Sequence, residues 1–168
     1  MNPETSTPSG EEQARRLEAV YEQLVQLLDQ STGAPSSKAA GADAEWSAAE
    51  VLGHLVEMIP YWLTSCQTIL AASTPPTFGR ALDAPERLAG VEQGASTSLQ
   101  SLLNELQREV EDAAAAIRRM SPVERSKTGV HLVRGTLSVA EIVEAMIVAH
   151  AEGHLAQVRA TLASAPGL

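Results

Sequence analysis

Residues 46–62 read WSAAEVLGHLVEMIPYW, and this stretch decides the fold. Trp46, Ser47, Glu50 and Val51 occupy the four places of a stapled capping box. The serine side chain can accept the Glu50 backbone N–H, the glutamate can reach back to the serine N–H, and the apolar pair fixes the entry of the chain. Behind the cap, Val51, Leu55, Met58, Ile59, Trp62, Cys66, Ile69 and Leu70 recur at spacings of three and four, so one side of a helix ending near Ala72 is apolar. Pro60 falls inside the pattern and is expected to kink it, because its ring crowds the preceding turn and supplies no donor.

The same start returns at residues 137–143, LSVAEIV, where Leu137, Ser138, Glu141 and Ile142 repeat staple, cap, box and staple. Either an internal repeat or common helix-start grammar accounts for the match. Val143, Met146, Ile147, Val158 and Leu162 continue this helix as a stripe. Two more stripes flank the pair: Leu17, Val20, Tyr21, Leu24, Leu27 and Leu28 behind a Ser9 cap with Glu12, and Leu99, Leu102, Leu103, Leu106, Val110, Ala113 and Ile117 before Pro122. Four helices of about 20 to 25 residues are about 30 to 37 Å long, the dimension of a four-helix bundle.

The fold class expected is therefore all-α. About 24 residues separate the second and third helices, where a tight helical hairpin needs about 2 to 8, so the connection can cross back along the bundle. That gives an up-down-down-up order with the second and fourth helices antiparallel. Residues 1–10 read as a flexible tail and residues 11–168 as one domain. Residues 31–45, rich in Gly, Ser and Ala, read as a surface loop, and Asp83 with Glu86 around Pro85 as the start of a short helix.

Composition narrows the function classes. The chain has 168 residues, a formal charge of -9 and only 12 Lys and Arg, so a phosphate-binding footprint is missing and nucleic acid is not an expected partner. No apolar run approaches the roughly 18 residues of a spanning segment, and the acidic start does not resemble a signal peptide, so no membrane partner is expected and the cytoplasm is the expected setting. The single Cys66 excludes an internal disulfide and, on the core stripe, reads as packing.

The chemistry falls on the core stripes. His150 and His154, at i and i+4, share a helix face, which is the spacing with which a helix offers two ligands to one metal. Stacked imidazoles in apolar surroundings need a shared partner or become costly. His54 lies about 9 Å from the start of its helix and His154 about 13 Å from the end of its own, at 1.5 Å per residue. Antiparallel helices bring the three rings nearly level, whereas parallel ones would separate them by about 8 to 14 Å, beyond one ion with bonds near 2.0 to 2.1 Å. His131 reads as a surface histidine in a loop.

Taken with WSAAEVLGHLVEMIPYW and HAEGHLAQV (residues 150–158), the chain resembles the DinB-like superfamily, the DinB/YfiT group of metal-dependent enzymes. The resemblance implies a four-helix bundle holding a divalent metal, commonly zinc or nickel, through one histidine on the second helix and an HxxxH pair on the fourth; His54, His150 and His154 match those places. It further implies a small-molecule substrate, a bacterial setting, and reactions such as thiol-dependent S-transfer or isomerisation with a low-molecular-weight thiol such as mycothiol or bacillithiol. A homodimer is the expected assembly where the chain self-associates.

Three neutral imidazoles leave a tetrahedral ion one open position, the arrangement of catalytic zinc. Glu57, one turn beyond His54, is the candidate general base, extra ligand or orienting carboxylate, against the alternative of a solvated surface glutamate. Arg80 and Arg134 are candidates for binding an anionic substrate or thiol carboxylate. The rival function is a non-catalytic metal-binding or stress and interaction bundle, which a closed, filled site would favour.

Overall fold

Four serines open the long helices of the computed structural model, which describes residues 6–31 and 46–163. Ser9 accepts from the Glu12 N–H and starts α1, Gly10–Gln30. Ser47 makes both halves of the expected capping box and starts α2, Ala48–Ala71. Ser98 caps α4, Leu99–Arg119, and Ser138 makes a second full box at the start of α6, Val139–Ile142. The fourth long helix continues without a break through a π-helical turn, Val143–Val148, into α7, Ala149–Ala163. Of the expected tail 1–10 and loop 31–45, residues 1–5 and 32–45 lie outside the described residues, and Ser9 and Gly10 already open α1.

Side-chain bridges give the direction of each helix. Arg118, near the end of α4, pairs with Glu11 and Glu18 at the start of α1, so these two are antiparallel. Gln13 and Arg16 reach Glu144, while Gln23 meets Arg159, so α1 runs parallel to α6–α7. The far end of α2 lies by the start of α6, because Lys127 donates to the Leu70 carbonyl and Val139 N–H donates to the Lys127 carbonyl. Trp46, just before α2, lies against His154. α2 and α6–α7 are therefore antiparallel, α2 and α4 parallel, and the bundle runs up-down-down-up. α2 passes through Pro60 as one helix.

The core is aliphatic: Leu17, Leu24, Leu52, Leu55, Ile59, Leu102, Leu106, Ile117, Ile142 and Ile147 are all closed to solvent. The long connection after α2 is not bare chain. It holds a two-residue strand β1, Thr77–Phe78, and α3, Pro85–Ser96, which starts at Ala84 with no side-chain cap instead of at Asp83. After α4 come α5, Pro122–Ser126, with a third capping box from Ser121 and Glu124, and a hairpin of β2, Thr128–His131, and β3, Gly135–Ser138. β1 joins β2 in parallel, closing a small sheet over the far end of α2.

His131 corrects its expectation. It ends β2 buried at 8% exposure, packed on Phe78 and Trp62, and its Nδ1 accepts the N–H groups of Val133 and Arg134. The short TGVH run carries too little periodicity to announce a strand.

Candidate metal centre

The opening of α2 and the first turns of α7 face each other, and His54, His150 and His154 meet there. Their ligand atoms all lie within 4.8 Å of one another, the one such cluster of three among the described residues. Ring centroids are 5.5 Å apart for His54 and His150, 4.9 Å for His54 and His154, and 4.8 Å within the i, i+4 pair. His54 and His154 are buried and His150 is half-buried.

Burial first, and then the neighbouring imidazoles of His154 and His150, push the His54 pKa down to about 2, so the ring is neutral and its lone pair available at any working pH. Both His54 ring nitrogens are buried without a hydrogen-bond partner among the described residues. A buried imidazole left so is costly unless something else uses the lone pair. The residues present fit a metal ion: three imidazoles in one compact cluster, of which His54 is neutral with neither nitrogen hydrogen-bonded among the described residues. His154 is also oriented, since its Nδ1 lies 2.8 Å from Gln157 Oε1, the contact a protonated Nδ1 makes as donor when Nε2 faces a metal. A cavity of about 240 Å³ lined by Ala149, His150, Gly153, His154 and Gln157 opens the site to solvent.

Trp46 does more than staple the helix. Its indole lies 5.2 Å from His54 and stacks at 6.1 Å on His154, with the Arg87 guanidinium of α3 5.0 Å from the same ring. Neither Trp46 nor Gln157 was assigned to the site from sequence; the three-residue step from His154 to Gln157 is the signal that could have found the second.

The other candidates are not members of the three-histidine cluster. Glu57 is gripped through both oxygens by Arg80, one of whose contacts is 2.7 Å, and Arg80 lies 3.9 Å over the Tyr61 ring with only 9% of its side chain exposed. Glu57 and Arg80 thus come together, and neither belongs to the three-histidine cluster. Arg134 is exposed in the β2–β3 turn, beside a separate cavity of about 510 Å³ that Glu141 and Glu144 also line.

Comparison with known proteins gives the family and the fold. Residues 16–158 match the family described as the DinB superfamily. YfiT from Bacillus subtilis, described as a "probable metal-dependent hydrolase with an unusual four-helix bundle topology", superposes with a TM-score of 0.75 at 16% identity, over 95% of this chain and 90% of that one. The mycothiol-dependent maleylpyruvate isomerase superposes with a TM-score of 0.68 at 14% identity, over 91% of this chain; this chain spans 62% of that enzyme's length. A Streptococcus pneumoniae protein gives 0.64 at 20% identity over 90% of this chain and 89% of its own. At these identities the likeness is one of fold. No curated protein matches by sequence.

Proposed function

The chain belongs to the DinB superfamily, and from that premise we propose that it is a metal-dependent enzyme acting on a small molecule at His54, His150 and His154. The observation that carries this reading is the buried three-imidazole cluster in which both nitrogens of His54 are orphaned. Zinc or nickel is the ion expected from the family resemblance, since imidazole by itself suits copper and iron as well. When bound, such an ion acts as a Lewis acid and lowers the pKa of a thiol or water toward neutrality. The chain's own residues do the rest. His54 stays neutral, Gln157 holds the His154 ring, and Trp46 covers one side.

The reaction classes are thiol-dependent S-transfer, isomerisation and hydrolysis, in the cytoplasm, and the mycothiol dependence of a fold relative supports a thiol co-substrate. Glu57 enters this reading as the candidate base or orienting carboxylate one turn from His54, held through both oxygens by Arg80. The opening beside His150 favours an enzyme over a closed scaffold.

The test is elemental analysis of tag-free protein beside His54→Ala, with cobalt titration of all three histidine-to-alanine variants. One equivalent of metal in the wild type, and affinity lower by orders of magnitude in each variant, is expected. A thiolate-to-cobalt charge-transfer band on adding free thiol supports S-transfer. Unchanged affinity in all three variants rejects the site. Glu57→Gln should keep the metal and lose about 10²-fold in rate on the substrate found.

A further inference from the structure

The fourth long helix is not regular where the ligand pair is aimed. Between α6 and α7 six residues wind as a π turn, Val143–Val148, and the Ala149 N–H donates to the Glu144 carbonyl five residues back. One extra residue in a turn rotates everything beyond it by about 100° relative to an unbroken helix at 3.6 residues per turn. The burial pattern records the slip. Ile142 and Ile147 are both buried, as are Val143 and Val148, each pair five apart, and the core face then passes through Ala151, His154, Leu155 and Val158. Without the slip that face would pass through His150, Gly153, His154 and Gln157, so the pair would be turned by about 100° from the direction in which it now meets His54 of α2.

Two residues of α1 grip this turn. Gln13 is fully buried, and its Nε2 donates at 3.1 Å to the Ala140 carbonyl and at 3.0 Å to Glu144 Oε2. The Ala140 carbonyl belongs to the last regular turn before the π segment, where the Val143 N–H reaches it at 3₁₀ spacing. Arg16, one turn along α1, donates to Glu144 Oε1 at 2.8 Å and holds Glu152 through both oxygens at 2.9 and 2.7 Å. Glu144 and Glu152 are eight residues apart, which in an unbroken helix places them about 80° apart; the slip reduces this to about 20°. One guanidinium can bridge them because the turn is π-wound.

Gln13 also carries a mark of something other than stability. Its Oε1 is buried with no hydrogen-bond partner among the described residues, an unfavourable position that leucine would not incur. We infer that Gln13 and Arg16 form a register clamp that holds the π turn of the fourth long helix and so sets the direction in which His150 and His154 face His54. The clamp rests on the proposed metal site for its purpose, but its structural half stands apart from any metal.

The experiment uses the full chain with Gln13→Leu and, separately, Arg16→Met, read in three ways. Amide hydrogen exchange of the metal-free protein across residues 143–149 reports the π turn. The thermal midpoint reports stability, and cobalt titration with its visible d–d spectrum reports the ligand geometry. Gln13→Leu should leave the midpoint unchanged or higher, alter exchange protection at Ala149, weaken cobalt binding tenfold or more and change the d–d band; Arg16→Met should move exchange and cobalt in the same sense. Should Gln13→Leu fail to fold, Arg16→Met decides alone. Unaltered exchange with wild-type cobalt affinity and band overturns the clamp, as does a lower midpoint with unchanged cobalt binding, which marks a merely structural role. If wild-type protein binds no cobalt, the proposed function falls, and exchange at residues 143–149 alone decides whether α1 holds the register.

Discussion

His54 contributes to stability with a sign that can be worked out from its surroundings. Its folded pKa, pushed down to about 2, lies below the unfolded value near 6.5. The unfolded chain therefore binds the extra proton below about pH 6.5, and stability from this group is complete above that pH and falls below it, by up to about 1.4 kcal/mol per pH unit. Urea unfolding of metal-free protein between pH 7 and 5 should show this slope, and His54→Leu should remove that part of it; equal slopes in the two proteins contradict the burial argument. Gln157 gives a second prediction at the same scale. Gln157→Leu removes the acceptor that holds His154 Nδ1–H and should lower zinc affinity about 10- to 100-fold with helix content intact, checked by competition with a chromophoric chelator and circular dichroism.

Elements meet here through missing side chains as much as through apolar stripes. α3 lies on α2 so closely that a Cβ on Gly53 would come within 2.3 Å of the Gly90 carbonyl oxygen, and one on Gly94 within 2.3 Å of the Ala49 carbonyl oxygen. Glycine inside a helix costs about 1 kcal/mol against alanine, so Gly53→Ala and Gly94→Ala would stabilise a free helix. In the folded chain each methyl meets backbone, and overpacking of about 1 to 3 kcal/mol should win. Chemical denaturation of both variants checks the sign, and a gain in stability would show that α3 can withdraw. Because Arg87 of α3 lies against Trp46, such a withdrawal would also loosen the cover of the metal centre.

For the whole molecule, the up-down-down-up order places helices distant in sequence side by side. α2 and α7 are joined at the site by groups roughly a hundred residues apart in the chain, while the aliphatic core holds the bundle without them. The apo protein should therefore be helical, unlike a zinc finger. A ligand bound only by the folded state at 100 times its Kd adds about 2.7 kcal/mol, or about 5 to 10 °C for a chain of this size. Thermal melts over a zinc series should show a midpoint rising with the logarithm of zinc concentration, and a midpoint indifferent to zinc would reject the site.

Local chemistry determined the parts that could be read from the sequence. Helix starts were legible because a cap needs only residues three apart, as Ser47 with Glu50 and Ser138 with Glu141 show. Helix faces were legible because burial follows the 3.6-residue period, and the level of the three histidines followed from rise per residue once the helices were set antiparallel. Where the reading failed, the determining contact was long-range. TGVH becomes a strand because Gly135–Ser138 and Thr77–Phe78 supply its hydrogen-bond partners. The stripe through His150 and His154 looked like one regular helix because a π turn adds a single residue to a period that tolerates spacings of three and four. Contacts with Gln13 and Arg16, more than a hundred residues earlier, fit the slipped register and not the regular one. The sequence by itself determined the helices and the ligand types; packing between distant segments decided which way those ligands point.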